Sequence, residues 1–275
     1  MVDHGIANEA VKCGEILCQT FSVIMCVNRN HQWLQEAIDS VLNQEDGDFE
    51  FLISANDCTD ELWDRLEEIP KKDSRVRLFR SNVGQLAFNL NYLVDNAIGE
   101  YIVRMDSDDV CETDRIRCLR AAIRNDKPDI IGSSVLLIDN DGRTIGSMQL
   151  PENQDAILKQ LPYKTVFCHP SVAIKRQFLI AIRGYLGGLS SEDTDLWLRA
   201  RRAGASMRNL PSALLRYRIH PNQSIGSRQG YAEVAGHWMR EFLLKPGIYT
   251  GWGLLVSTVK ALTFRWLPRH RSYRN

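Results

Sequence analysis

The feature that most constrains the fold is a regular alternation of short apolar runs and amphipathic segments over the first 105 residues. The four apolar runs lie at Phe21–Val27, 49–54, 76–79 and Tyr101–Met105. Between them, apolar residues recur at helical spacing over 31–43, over a segment that ends at Pro70, and over 86–97. Strands alternating with helices predict a parallel sheet with right-handed crossovers, and continuously apolar strands predict helices on both faces.

Bulk composition limits the class of protein. A chain of 275 residues with 44 % hydrophobic residues can bury a sizeable core, in one large domain or two small ones. The formal net charge of zero gives no general affinity for nucleic acid. The seven cysteines form no C-x-x-C pair, which predicts neither a zinc site nor a disulfide framework and fits a reducing, cytoplasmic compartment. Residues 1–20 predict a loose leader without signal-peptide features, and no apolar run is long enough to span a membrane.

The fourth apolar run ends abruptly in acidic residues. Asp106, Ser107, Asp108 and Asp109 follow it directly. Residues i and i+2 of an extended chain point the same way, so Asp106 and Asp108 are expected to converge at the carboxyl edge of the sheet, where ligands bind. Their oxygens suit Mg²⁺ or Mn²⁺ together with substrate phosphates. The alternative is an acidic turn that starts a helix capped by Asp109 or Thr113.

These aspartates belong to an ordered series of short motifs. The series comprises Glu-Ala-Ile-Asp-Ser-Val-Leu-Asn-Gln at 36–44, Cys-Thr-Asp at 58–60, the run at 99–109, Cys-His-Pro-Ser-Val at 168–172, Ser-Glu-Asp-Thr-Asp-Leu-Trp at 191–197 and Tyr-Arg-Ile-His at 217–220. In this order the chain resembles the family 2 glycosyltransferases over roughly residues 21–225. The resemblance implies an α/β, GT-A-type nucleotide-binding fold with a mostly parallel central sheet flanked by helices. Residues 21–109 would bind the nucleotide sugar and residues 110–225 the acceptor.

The resemblance also implies inverting transfer of a sugar from a nucleotide-sugar donor, with Mn²⁺ or Mg²⁺ as cofactor. It assigns the metal to Asp106, Asp108 and His220, with Asp108 as the direct ligand and Asp106 nearer the ribose. The residues it assigns to donor binding are Val27, Asn28, Asn56, Asn82, Gly84, Asn91, Arg104, Asp106, Ser107 and Arg218.

Two places depart from the family's pattern near the nucleotide base. The paired aspartates that usually end the second strand are Ala55 and Asn56 here, and the usual Pro and Tyr after the first strand are Cys26 and Asn28. Asn56 or Asp57 can still form a hydrogen bond with a uracil edge. The resemblance implies UDP as the nucleotide, and these departures imply that its base pocket is altered.

Two arginines accompany the acidic motif. Arg104 shares a strand face with Asp106, and it either reaches the donor or forms an ion pair that only steadies the carboxylates. Arg218 and His220 precede Pro221, in a region that the resemblance places over the diphosphate. Arg218 is therefore a candidate hydrogen-bond donor to a phosphate, and the alternative for this segment is a solvated turn.

A second acidic pair, Glu192 and Asp193, opens a segment with the spacing of an amphipathic helix. The helix macrodipole favours acids in the first turn, so capping is one interpretation of this pair and of Asp195. An inverting enzyme also needs a carboxylate that takes the proton from the attacking hydroxyl. The resemblance implies that Asp193 is this base and that Glu192 contacts or orients the acceptor.

Two further side chains are candidates for acceptor binding. His169 precedes an apolar run predicted as a strand over 171–174, and it either faces the acceptor or is a hydrogen-bonded core histidine. Trp197 follows the predicted base by one helical turn, and it either stacks on a sugar ring or packs in the core. Segment 186–191 has the composition of a loop that moves over an acceptor.

Residues 226–275 lie beyond the resemblance and predict a helical, basic C-terminal extension. Helices are expected over 231–244 and 248–267, and from Arg240 onwards seven Lys or Arg residues accompany one acid, Glu241. Such a tryptophan-bearing basic tail predicts either a peripheral contact with the inner face of a membrane or a helix packed on the catalytic domain. A lipid-linked acceptor would favour the membrane contact.

Together these observations predict an inverting glycosyltransferase that moves a hexose or N-acetylhexosamine from a UDP-sugar to a hydroxyl of a growing glycan, free or lipid-linked, of the bacterial surface type. A sugar-1-phosphate nucleotidyltransferase shares the α/β layout but needs a glycine-rich phosphate loop, which residues 27–30 do not form. A non-catalytic glycan- or nucleotide-binding module would fit the altered pocket at Ala55. The full set of Asp106, Asp108, Asp193 and His220 argues against such a module.

Overall fold

The computed structural model describes residues 21–188, 190–221 and 227–263. The strands within these residues, β1–β9, are Phe21–Val27, Phe49–Asn56, Val76–Ser81, Tyr101–Met105, Val110–Cys111, Ile130–Ile138, Thr144–Met148, Ala173–Lys175 and Met207–Arg218. The helices of the same ranges, α1–α9, are Leu34–Leu42, Asp60–Lys72, Leu86–Asn96, Arg115–Asp126, Gln154–Gln160, Arg176–Ala181, Glu192–Arg202, Arg228–Leu244 and Ile248–Thr263. The predicted leader and the end of the basic tail lie outside the described residues.

The strands form one sheet in the order β3-β2-β1-β4-β8-β6-β9-β5, and β7 pairs with β6 beside this path. β3, β2, β1 and β4 run parallel, with Phe21 opposite Phe49 on one side and Tyr101 on the other. β8 is antiparallel to both β4 and β6, whereas β6 and β9 are parallel. The predicted parallel arrangement therefore holds for the first half, and the sheet continues as a mixed one through the second half.

Helices cover both faces of the sheet because its strands carry apolar side chains on both faces. In β1, Phe21, Val23, Met25 and Val27 belong to one apolar cluster and Ile24 belongs to the other. Helices α1, α2 and α4 complete the first cluster, while α3 and α5–α8 complete the second. Burial on both faces explains the continuously apolar strands, and the predicted α/β class with a central sheet flanked by helices is confirmed.

Two local predictions differ from the structure near the site. Helix α1 begins at Leu34 rather than near residue 31, so His31 and Trp33 lie in the turn that leaves β1. The strand predicted over 171–174 begins two residues later, as β8, after a 3₁₀ turn at His169–Ser171. The proline within this turn fixes a φ angle that suits a helical turn and removes a donor that a strand would need.

The last two helices pack on the rest of the protein through buried ion pairs and aromatic contacts. Asp195 on α7 is buried and pairs with Arg240 of α8 and with Arg199 of its own helix. Asp195 thus anchors α8 and is more than a cap. The rings of Trp238 on α8 and Tyr249 on α9 lie 5.8 Å apart. Within the described ranges, no helix combines the length and the apolar character that crossing a membrane requires.

Candidate active site

The carboxyl ends of four parallel strands bring the predicted donor residues to one edge of the sheet. Val27 ends β1 and is buried, and Asn28 follows it in an exposed loop. Asn56 ends β2, Asn82 follows β3 and Asp106 follows β4. Because β3, β2, β1 and β4 are neighbours in this order, these residues lie along the edge where ligands of α/β sheets bind.

The aspartates after β4 form a cluster. One carboxylate oxygen from each of Asp106, Asp108 and Asp109 lies within 4.8 Å of the others. Burial, followed by the charges of the other two aspartates, raises the pKa of Asp109 well above its usual range. Burial also raises the pKa of Asp106, although the charge of Arg104 opposes this rise. Crowded, partly desolvated carboxylates of this kind fit a hard cation.

The acidic turn does not start a helix. The chain continues into β5, and α4 begins only at Arg115. The carboxylate of Asp109 accepts a hydrogen bond from the backbone N–H of Arg218 on β9 at 2.8 Å, and its second oxygen is buried without a partner among the described residues. The alternative of a helix cap at Asp109 or Thr113 is therefore wrong. Asp109 joins the cluster, which the sequence pattern assigned to Asp106 and Asp108 alone.

His220 lies beside the cluster, next to two aromatic side chains. Its Nε2 is 2.9 Å from an oxygen of Asp108, and its ring stacks on Trp33 with centroids 4.7 Å apart. His31 approaches from the same turn, with Nε2 3.0 Å from the Ser107 hydroxyl, and burial lowers its pKa. The structure thus brings the predicted residues Asp108 and His220 together. The helical spacing assigned His31 and Trp33 to helix α1, so they were not predicted as site residues. Their position directly after β1 was the feature that indicated such a role.

Arg104 is buried on β4, and its guanidinium forms an ion pair with Asp106. The guanidinium also donates to the backbone carbonyl of Met105. An unpaired buried cation would cost several kcal/mol, which the nearby carboxylates offset. Of the two alternatives from the sequence, the structure supports the ion pair.

Arg218 is buried, and its guanidinium donates to four protein groups. These are the backbone carbonyls of Asp108 at 2.8 Å, Asp139 at 3.0 Å and Asn140 at 3.4 Å, and the carboxylate of Glu36 at 2.6 Å. The side chain therefore ties α1 and the loop after β6 to the acidic turn. We assign Arg218 a positioning role, and the predicted contact with a phosphate finds no support in this arrangement.

One side chain at the donor edge keeps unused hydrogen-bonding capacity. Asn56 is 5 % exposed, and its Oδ1 has no partner among the residues that the structure describes. It is therefore a candidate acceptor for the N–H of a uracil edge. Asn82 and Gly84 lie in the exposed turn after β3. A Cβ at Gly84 would approach the Asp57 carboxylate to 2.9 Å, which explains the glycine.

Asn91 has a different role from the one predicted. Its amide donates to the carbonyl of Tyr185 and accepts from the N–H of the same residue, both at 2.8 Å. The neighbouring Gly184 has a positive φ of 62°, and a Cβ there would overlap the Asn91 amide. Asn91 therefore joins α3 to the loop before the predicted base, and the donor contact predicted for it is not supported.

The predicted base lies in the first turn of α7. This turn holds three acids and the last turn holds three arginines, which complements the helix macrodipole. Burial, followed by the charge of Asp193, raises the pKa of Glu192 to about 7. Burial also raises the pKa of Asp193, whose carboxylate accepts from the N–H of Thr194 at 2.6 Å. A raised pKa makes a carboxylate a stronger base, so both acids suit proton transfer.

His169 lies beside this acidic pair. Its Nδ1 is 3.7 Å from the Glu192 carboxylate, and its Nε2 is 3.3 Å from the hydroxyl of Tyr185. Burial, followed by the charge of Arg104, lowers the pKa of His169 well below its usual value, so the ring is neutral near pH 7. Tyr185, for which no role was predicted, thus holds His169 within the site. Contact between His169 and an acceptor stays a prediction.

Trp197 packs in the core. It is 2 % exposed and its ring centroid lies 4.8 Å from that of Phe167. Helical spacing places it on the inner face of α7, so the predicted stacking on a sugar ring is not supported and the core alternative holds. Trp197 also lines a cavity of about 150 Å³ between α7, α8 and α9, together with Asp193, Trp238 and Lys260.

The aspartate cluster and the first turn of α7 influence each other electrostatically. The charges of Arg104 and Asp106 both contribute to the pKa of Glu192. The charges of Asp109, Asp106 and Asp193 all help to raise the pKa of the buried Cys168 thiol. The two acidic groups therefore belong to one polar site. One end of this site can hold a cation with a phosphate group, and the other end can accept a proton.

Comparison with known proteins gives an independent assignment. The family model for Glycosyl transferase family 2 matches residues 22–182. The O-antigen biosynthesis glycosyltransferase WbnJ of Escherichia coli is 38 % identical over 245 residues, which cover 88 % of this chain and 96 % of that protein. The UDP-Gal:alpha-D-GlcNAc-diphosphoundecaprenol beta-1,3-galactosyltransferase of Escherichia coli is 28 % identical over 225 residues, which cover 78 % of this chain and 79 % of that protein.

A solved structure shows the same fold. S. aureus TarS 1-349 in complex with UDP-GlcNAc is similar with a TM-score of 0.68 at 17 % identity, covering 89 % of this chain and 73 % of that chain. At this identity the likeness concerns the fold alone, whereas the family model matches more than half of the sequence and WbnJ is similar along most of it. The chain therefore belongs to glycosyl transferase family 2 and is a glycosyltransferase.

Proposed function

We propose that this glycosyltransferase moves a hexose or N-acetylhexosamine from a UDP-sugar to a hydroxyl of a growing surface glycan, with inversion and with the help of a divalent cation. One observation carries the proposal. The three-aspartate cluster and the acid pair of α7 lie within electrostatic reach of each other. The cluster suits a cation that binds the leaving diphosphate, and the acid pair suits removal of the proton from the attacking hydroxyl. In this proposal the sugar therefore passes to the acceptor in a single displacement, without a covalent intermediate on the enzyme.

We infer uridine diphosphate as the nucleotide, because one group at the donor edge and two similar proteins agree with it. The unpartnered Oδ1 of Asn56 offers an acceptor to the N–H of uracil. The neighbouring Ala55 is fully buried in the core and offers no polar side chain. Among the similar proteins, the TarS structure is a complex with UDP-GlcNAc and the galactosyltransferase is named for UDP-Gal, which supports the same nucleotide.

The aspartate cluster has the chemistry of a site for Mg²⁺ or Mn²⁺. Its three carboxylates are close, and one oxygen of Asp109 is buried without a partner among the described residues. Hard oxygen ligands of this kind select such cations over softer ones. Asp106 and Asp108 would hold the ion together with His220, and Asp109 completes the set. When bound, the cation would neutralise the charge that the diphosphate gains as it leaves.

Asp193 acts as the base in this proposal. It takes the proton from the acceptor hydroxyl while the hydroxyl oxygen attacks the anomeric carbon. The bond from that carbon to the diphosphate breaks on the opposite side, which inverts the configuration. Glu192, with a pKa of about 7, orients the acceptor hydroxyl and is itself held beside His169. Arg104 keeps Asp106 in place through the buried ion pair.

A surface glycan, carried on a lipid or growing as a polysaccharide, is the acceptor class that the comparisons support. WbnJ is named for O-antigen biosynthesis, and the galactosyltransferase is named for an acceptor sugar linked to diphosphoundecaprenol. The cavity beside Asp193 is bounded by α8 and α9, which lie outside the part that the family model matches. We therefore expect these helices to contribute to the choice of acceptor.

The experiment incubates the full chain with UDP-, GDP- and dTDP-sugars, with and without Mn²⁺, and measures released nucleoside diphosphate. We expect metal-dependent release from one UDP-sugar, and faster release when glycan acceptors are added. Asp108→Asn and Asp193→Asn should each lower transfer by at least about 100-fold, because each removes a charge that acts in the transition state. Asp155→Asn is the matched control, since Asp155 is an exposed acid in the first turn of α5.

The outcomes separate the alternatives. Full transfer by Asp193→Asn would reject this residue as the base, and loss of transfer by Glu192→Gln alone would assign the base to Glu192. Release from a GDP- or dTDP-sugar would reject UDP. If none of the donors releases nucleoside diphosphate with Mn²⁺ and glycan acceptors present, the proposed function is refuted.

A further inference from the structure

Helix α9 exposes a continuous line of large apolar side chains, which we call the apolar stripe. Its members are Ile248, Trp252, Leu255, Val259 and Leu262, which follow one another at spacings of four, three, four and three residues. This spacing places them on one face of the helix. Each of them is between 47 % and 96 % exposed. A contiguous apolar face of this length on a protein surface marks an interaction site.

The face of α9 that packs on the rest of the protein is separate from the apolar stripe. Its buried residues are Thr250, Gly253 and Ser257, and the partly buried Tyr249 and Leu254 pack against the core. Gly253 lies against the ring of Trp238 on α8, so the inner face packs closely. A surface helix normally has one apolar face, which is turned inward. Because α9 has a second apolar face that is turned outward, packing on the catalytic domain does not explain the apolar stripe.

Tyr163 lies beside the apolar stripe and contacts its member Trp252. The indole N–H of Trp252 donates to the hydroxyl of Tyr163 at 2.6 Å, and the two rings meet edge to face with centroids 6.5 Å apart. Both side chains are nearly half exposed. Trp and Tyr that present a ring while their polar groups are satisfied are enriched where a membrane meets water.

The end of the sequence that contains the apolar stripe is rich in positive charge. No Asp or Glu follows Glu241 in the sequence, whereas six Lys or Arg do. Lys245 is exposed in the turn between α8 and α9, and Lys260 lies on α9 itself. The four arginines that follow position 263 lie outside the described residues. Basic residues next to an exposed apolar helix face complement the headgroups of anionic lipids.

We propose that the apolar stripe docks this enzyme on a bilayer that contains anionic lipids. Over its 16 described residues, helix α9 lacks the length and apolar character needed to cross a membrane, and we place the contact in the plane of the interface. Leu243 and Leu244 at the end of α8 are exposed as well. Docking in this way requires neither the proposed donor nor the proposed base.

Docking would also set the position of the cavity beside the predicted base. Ser257 and Lys260 line that cavity from α9, and Asp193 lines it from α7. A helix that rests on the bilayer would therefore hold the cavity near the membrane surface. This consequence rests on the proposed function, and it fits an acceptor sugar that a lipid anchor keeps at that surface.

Flotation of the full chain with vesicles of phosphatidylcholine, with and without phosphatidylglycerol, tests the docking. The wild type should float with the anionic vesicles, and less so at high salt. Leu255→Glu and Leu262→Glu should each weaken binding at least about tenfold, because each places a carboxylate in the interface. Ile145→Glu on β7 is the matched control, since Ile145 and Leu255 are both 53 % exposed. It should bind vesicles like the wild type.

Release of nucleoside diphosphate is measured for the same proteins, and it should be equal in all of them in the absence of vesicles. Loss of vesicle binding by Leu255→Glu with donor release intact supports the docking. A wild type that does not float, or equal binding by Leu255→Glu, overturns it. The docking is also overturned if the wild type is a dimer that does not bind vesicles and Leu255→Glu is a monomer. In that case the apolar stripe would join two copies of the chain. Vesicle binding without donor release by the wild type would refute only the proposed function.

Discussion

Replacing Glu192 by Gln should stabilise the folded protein above neutral pH. Glu192 is the first residue of α7, and its side chain is only 15 % exposed. The macrodipole favours the charged form there by about 1 kcal/mol. Burial and the charge of Asp193 outweigh that effect, because the pKa of Glu192 is raised to about 7. Glutamine keeps the size of the side chain and removes the charge that is costly to bury.

The expected magnitude follows from this pKa. The pKa rises from an ordinary value of 4.5 to about 7, so ionising Glu192 costs roughly 3 kcal/mol more in the folded protein than in the unfolded chain. Between these pH values the folded protein holds a proton that the unfolded chain has released. The wild type therefore loses stability as the pH rises through this window. Below the window the cost is absent, and above it the cost is complete.

Urea denaturation at pH 5 and pH 8 measures the effect as the free energy of unfolding. Glu192→Gln should exceed the wild type by roughly 3 kcal/mol at pH 8 and by less than about 1 kcal/mol at pH 5. Glu152→Gln, at an exposed loop position, serves as the control and should match the wild type at both pH values. An equal difference at both pH values, or a variant less stable than the wild type at pH 8, would refute the argument from burial.

Two further predictions concern packing and the aspartate cluster. Gly253→Ala should lower the free energy of unfolding by about 1–3 kcal/mol, because its methyl group would overlap Trp238. Gly236→Ala, at an open position of α8, should raise it by up to about 1 kcal/mol in the same thermal or urea melts. Asp109→Asn should raise the melting temperature without divalent ions by relieving carboxylate crowding. It should also reduce the stabilisation that Mn²⁺ gives the wild type, about 2.7 kcal/mol at 100 times the Kd, whereas unchanged stabilisation would exclude Asp109 from the set.

The first half of the fold was predictable because local pattern decides it. Apolar runs buried on both faces fixed the ends of β1 and β4, and helical spacing located α1, α2 and α3 between the strands. The second half depends on pairing between distant segments. β8 inserts antiparallel between β4 and β6, and no local period of the sequence encodes that choice of neighbours. The same holds for β9, whose parallel partner β6 lies far away along the chain.

The site divides in the same way. Strand alternation predicted that Asp106 and Asp108 converge, and it placed Arg104 beside them. The other predicted roles depend on distant partners or on a choice that spacing leaves open. Arg218 was expected to reach a phosphate, but it bonds to Glu36, which lies 182 positions away. Trp197 has the same helical spacing whether it faces a sugar or the core, and only the packing of Phe167 against it decides between them.

The contacts of Arg104 explain why this charged residue lies on a central strand of the core. It is 2 % exposed, and its positive charge acts on Asp106, on Glu192 and on His169. One buried guanidinium thus serves both the donor edge and the acid pair of α7. Burial and the neighbouring negative charges raise the pKa of Asp106 and of Asp109 and so oppose full ionisation of the cluster. Fully ionised, the three carboxylates and one guanidinium would leave two negative charges, while Arg218 is balanced by Glu36. A single divalent cation has the charge that neutralises this remainder, so the buried arginine and the proposed metal site follow from the same electrostatic requirement.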